Sequence, residues 1–275
     1  MNGFVQAATV LLPSAYLVTT VLYGMAFAGE RAPAFAARWR ARALVATLGL
    51  HAALFAARAA VARTFPIDGA WLVVSATALV AGLLFALLSL RTARPAVGGI
   101  VLAMLTVLQT AASALGPTRA EALPAADAGK LLHVGTVVLA SASLVLSGLF
   151  GYLHVLLLRQ MRAKRFGALY RSLPNLEQLA RLTRLAALAG FVFLTAGLNV
   201  GIALAHARVE GFGYLDAHVL LTIAVWLHFG LIAFSRHVRG LTAQRASVAA
   251  VFGLITLLLA IVITVIPAAT FHRLS

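Results

Sequence analysis

The chain has 275 residues, of which 62% are hydrophobic and 11% charged, and it contains no cysteine. Soluble domains carry about 45–50% apolar and about 25% charged residues, so this composition excludes a water-soluble globular fold and predicts an all-α integral membrane protein. The absent thiols exclude disulfides, thiolate-bound zinc, iron–sulfur clusters and thiol catalysis, and the net charge of +15 has to be judged from where the cations fall.

Stretches of about 20 apolar residues, enough to cover about 30 Å of hydrocarbon, recur eight times: roughly 4–27, 43–62, 69–90, 96–115, 130–158, 185–206, 214–235 and 246–267. Charge or turn signals separate them, at Arg38-Trp39-Arg40, Phe65-Pro66, Arg94-Pro95, Gly116-Pro117 and the basic stretch 159–184. The first stretch has no basic segment ahead of it and exceeds the apolar run of a signal peptide, so it is expected to be a span. The outer loop 116–129 is rich in Ala, Pro and Gly and is expected to be irregular. The basic cytoplasmic loop 159–184 contains LPNLEQLARLTRL, with Pro174 and Glu177 suited to a helix start and leucines at 176, 179, 182 and 185. That pattern predicts an amphipathic lead-in lying in the membrane interface. The expected architecture is a single transmembrane domain over 1–275, a bundle of eight helices.

With the N-terminus outside, sixteen of the 22 lysines and arginines fall in inner loops, seven of them between Arg159 and Arg184. The other six are Arg58, Arg63, Arg119, Lys130, Arg208 and Arg273. The positive-inside rule then places both termini outside, in a bacterial inner membrane. The cations therefore meet anionic lipid headgroups, and a nucleic-acid partner is not expected, because 159–184 interleaves only Phe166 and Tyr170 with its basic residues.

All seven acids (Glu30, Asp68, Glu121, Asp127, Glu177, Glu210, Asp216) fall in loops or at span ends, which gives an ion-coupled transporter little support. The histidines are distributed differently. His51 lies about 12 Å from the inner start of its span and His228 about 10 Å from the inner end of its own. They could share one layer, and His133 and His272 could share another at the outer surface. Two layers of paired neutral imidazoles suit axial ligation of haem iron, but spacing alone leaves polar burial equally open. His154, His206, His218 and His237 sit near span ends or in a loop, where headgroup water ordinarily satisfies a histidine. Gly148 and Gly151 are small-residue packing candidates.

Four stretches carry a family resemblance. GLHAALFAARAAVARTFPIDGAWLVVS (49–75), LLHVGTVVLASASLVLSGLFGYLHVLLLRQMR (131–162), LPNLEQLARLTRLAALAGFVFLTAGLNVGIALA (173–205) and PAATFHRL (267–274) together resemble cytochrome c assembly proteins of the CcsA, CcmC and HemX/YpjD type. The resemblance implies that His133 and His272 are axial ligands of a non-covalent b-type haem at the outer face, and that His51 is an intramembrane haem histidine. The family's second intramembrane histidine aligns nearer Phe234, so His228 stands in for it by depth alone. Between the sixth and seventh spans the chain has HARVEGFGYLD (206–216), where full haem-handling members carry a tryptophan-rich loop. That departure, which leaves Phe212 and Tyr214 as the aromatics of the loop, points to the HemX/YpjD branch.

The resemblance implies haem handling or delivery in cytochrome c biogenesis, with no catalytic residue of the chain's own and a possible partner membrane subunit. The alternative is a HemX-like adaptor that regulates haem biosynthesis through its cytoplasmic loops. A cytochrome b-like di-haem bundle fits less well. His133 and His154 are separated by about 31 Å of helix, which puts them at opposite surfaces.

Overall fold

The structure, a computed structural model, describes residues 1–25, 32–66, 69–89, 95–122, 127–208 and 217–265. They form α1 (Asn2–Gly24), α2 (Ala34–Ala62), α3 (Ala70–Ser89), α4 (Pro95–Leu115), α5 (Ala128–Arg162), α6 (Ala168–Ser172), α7 (Leu176–Arg208), α8 (Ala217–Ala233) and α9 (Ala243–Val265). No strand occurs among the described residues. Seven of these helices are long and apolar enough to cross a membrane, and the apolar part of α8, Val219–Ala233, is shorter. The protein is therefore an all-α, multi-pass membrane protein.

Two helices begin well before the expected spans. α2 starts at Ala34 rather than near 43, because Ala and Arg are strong helix formers and the charges of AFAARWRARA can point to water without breaking the backbone bonds. There Arg42 lies over the Trp39 ring at 5.1 Å. α7 starts at Leu176, so the expected interfacial lead-in is continuous with the span that follows it. The small helix α6 inside the basic stretch was not expected.

The helices gather in two compact units. Unit 1 contains α1–α4 and the segment 156–176, which includes α6. In it α1 packs against α2 and α4, and α3 against α4. Close approach requires Gly82, where an added Cβ would stand 2.7 Å from Leu48 Cδ2. Unit 2 contains 127–155 and α7–α9. The Asp127 side chain starts α5 by accepting the Lys130 N–H at 2.8 Å. Gly148 and Gly151 do serve packing, and their partner is α9 of the same chain. A Cβ on Gly151 would meet the Ser247 carbonyl at 2.7 Å, and one on Gly148 would overlap Leu254.

Candidate functional site

His133 sits in the second turn of α5, half-buried against α7. Its ring reaches α7 because two glycines there leave the backbone bare. The Gly197 carbonyl lies 2.9 Å from Nδ1, and a Cβ on Gly201 would stand 2.6 Å from Cε1. A carbonyl oxygen only accepts, so Nδ1 carries the proton and Nε2 the lone pair. This is how metal-binding histidines are usually held, with the second nitrogen tied to a carbonyl to fix tautomer and orientation. Among the described residues this is the only hydrogen bond the imidazole makes.

α7 has different neighbours on another face. Trp226 of α8 donates from Nε1 to Thr195 Oγ1 at 2.7 Å and stacks on Phe191 at 5.1 Å, while Phe234 meets Phe191 edge-on at 5.7 Å. Gly190, Gly197 and Gly201 face α5, and Phe191 and Thr195 face α8. α7 thus lies between the imidazole and the aromatic cluster.

His51 is placed quite differently. It is fully buried in unit 1, with Tyr16 Oη 2.9 Å from Nδ1 and Ser75 Oγ 3.0 Å from Nε2. Ser75 donates to Gln109 Oε1 at 2.9 Å, and Gln109 donates from Nε2 to Ser113 Oγ at 3.0 Å. One turn away, Thr19 and Thr47 pair at 2.8 Å. His228, in unit 2, donates from Nε2 to the Ala249 carbonyl of α9 at 2.7 Å, and its Cδ2 packs over Gly253. The pair expected in one deep layer thus falls in separate units.

Of the other histidines, His206 and His237 are exposed. His154, expected to be wetted at a span end, is instead only 4% exposed, and its buried Nδ1 has no hydrogen-bond partner among the described residues. His272, the loop 209–216 and the side chain of His218 lie outside the described residues, and among those described no three metal-ligating side chains cluster.

Sequence reasoning missed Tyr16, Ser75 and Gln109, whose signal was a polar side chain inside an apolar helix. It also gave no sign that Arg58, counted among the outer-side cations, is buried: Arg58 is a 4% exposed residue of α2 that donates to the carbonyls of Pro117 (2.6 Å) and Arg119 (3.3 Å) and to Thr9 Oγ1 (3.2 Å). It ties the connection after α4 down onto unit 1.

The fold and this site define a polytopic helical membrane protein in which two imidazoles, His133 and His228, are each tied through one nitrogen to a backbone carbonyl. The cytochrome c assembly protein family model matches residues 39–268. The chain belongs to that family, and with it goes a role in cytochrome c biogenesis. Comparison with curated proteins and with solved structures gives no match.

Proposed function

We propose that the protein holds a haem at the outer face of the bacterial inner membrane, with His133 and His272 as its axial ligands, and thereby assists cytochrome c assembly. One observation carries the reading: the Nδ1–H of His133 is spent on the Gly197 carbonyl, which leaves Nε2 as the free lone pair. When bound, the haem iron supplies the redox chemistry, and the protein binds, orients and shields it. Gly197 and Gly201 fix the angle of the His133 ring, and Asp127 anchors the turn of α5 that carries it. Without cysteine the chain has no thiol for covalent attachment, which suits a b-type haem. We place both termini outside, with α8 as an eighth pass: its 17 residues cover about 26 Å, somewhat short of the hydrocarbon thickness. The chain then works as one transmembrane domain.

The loop HARVEGFGYLD offers no tryptophan to cradle an exposed haem, which favours the HemX/YpjD branch and a partner membrane subunit at the transfer step. Protein purified in detergent should show a Soret band that is lost in His133→Ala and in His272→Ala. Colourless wild-type protein from haem-replete cells overturns the reading.

The alternative, an adaptor acting on haem synthesis, draws support from the inner stretch after α5, where Phe166 is 55% exposed and meets Tyr170 edge-on at 5.0 Å. Neutralising Arg162, Lys164 and Arg165 together should change the abundance of a haem-synthesis enzyme under that reading and leave it unchanged under the first.

A further inference from the structure

Each nitrogen of His51 already has a partner, and the donors and acceptors around it can be ordered. Gln109 Oε1 only accepts, so the Ser75 hydroxyl proton points to Gln109. With that proton committed, Ser75 Oγ faces His51 as an acceptor, and Nε2 carries the imidazole proton. Nδ1 is then the acceptor for the Tyr16 O–H. The chain runs one way, from Tyr16 through His51, Ser75 and Gln109 to Ser113, and draws residues from α1, α2, α3 and α4.

We infer that His51 is a fixed node of this chain and not an iron ligand, so that haem ligation falls to the histidines of unit 2. An iron at Nε2 would have to stand where Ser75 Oγ stands, 3.0 Å away, and one at Nδ1 where Tyr16 Oη stands. The ring's remaining surroundings are closed as well, by Phe55 at 5.6 Å and by the edge-on Tyr16 ring at 5.7 Å. A porphyrin has no plane to occupy. The chain's own work is registration. Helices in lipid lack a hydrophobic force between them, and hydrogen bonds joining four helices select one arrangement among many. The Thr19–Thr47 pair repeats the α1–α2 link one turn along. A protein built this way offers no iron ligand at His51, and unit 1 has no other histidine.

The inference rests on the haem reading above, and its test separates the two. Haem per folded chain is measured by pyridine haemochrome, beside the thermal midpoint, for wild type and for His51→Gln, His51→Ala, Ser75→Ala and Tyr16→Phe. Every folded variant should keep the haem content of the wild type while melting lower. Tyr16→Phe and His51→Ala combined should cost less than the sum of the two, because they break one link. In protein labelled with 15N-histidine, the His51 ring should show its proton on Nε2. A folded His51→Gln protein that has lost haem, or additional haem gained in Ser75→Ala, overturns the inference, as does a His51 proton on Nδ1. Where His51 variants do not fold, Ser75→Ala and Tyr16→Phe keep the imidazole and decide the matter. A colourless wild type defeats the haem reading, and the tautomer and the coupling still judge the chain.

Discussion

At Gly201 the absence of a side chain is what lets His133 lie against α7. An added methyl group would stand 2.6 Å from Cε1 and 2.9 Å from Nδ1, so Gly201→Ala must turn the imidazole or part the helices. Overpacking of this kind costs about 1–3 kcal/mol, and the ring angle is lost before the fold. Gly201→Ala should therefore reduce haem content several-fold with helical circular dichroism unchanged. An unaffected Soret band would mean that the ring angle does not matter.

Arg58 makes a second residue-scale prediction. Its guanidinium holds the Arg119 carbonyl, which belongs to the peptide bond trypsin would cut. Hydrogen bonds to a charged donor contribute about 1.5–3 kcal/mol, so Arg58→Met should lower stability by about that much and open the bond after Arg119 to trypsin in intact protein. Equal digestion of wild type and variant would deny the clamp. Arg58 also shows what the sequence hides. In the chain it reads as one more outer-side cation, because only the fold brings the carbonyls of 117 and 119 to it. His133 stood out by its place at the outer end of its span and by the family resemblance, but nothing in the sequence tied its ring to the Gly197 carbonyl on another helix. His51 was legible as buried, but which atoms fill its coordination positions depends on Tyr16, Ser75 and Gln109, which lie on three other helices.

Among the elements, apolar length found the spans because hydrocarbon thickness leaves little choice of helix length. The ends were harder. Arginine near Ala34 signals water and says nothing of helix termination, and Leu176 begins a helix whose first turns are amphipathic and whose remainder is apolar. Partner choice between helices was also hidden, because a glycine marks a close approach without saying to what. For Gly151 the answer is α9, whose Ser247 carbonyl would stand 2.7 Å from an added Cβ and whose Ala250 Cβ would stand at 2.9 Å. Backbone cannot yield as a side-chain tip can, so Gly151→Leu should separate α5 from α9. The expected result is a marked fall in thermal midpoint or loss of monodisperse protein in detergent. Gly135→Leu, with open space around its Cβ, should be tolerated. Equal behaviour of the two would sink this account of the α5–α9 contact.

For the molecule as a whole, orientation decides which chemistry the His133 site can meet, because haem transfer to an exported cytochrome needs the ligand on the outer side. The proposed orientation puts sixteen of the 22 arginines and lysines inside and six outside, and each cation near the inner leaflet is favoured by roughly 1 kcal/mol. The composition supplies a clean assay: with no native cysteine, any cysteine introduced is the sole thiol. Single cysteines at Thr118 and Glu121, in the connection between α4 and α5, should react in intact cells with a maleimide that does not cross the inner membrane. Cysteines at Phe35 and Phe166, both exposed and both inside on the proposed orientation, should react only after the membrane is opened. Labelling of Phe166→Cys in intact cells would invert the protein, set His133 on the cytoplasmic side and remove the proposed role at the outer face.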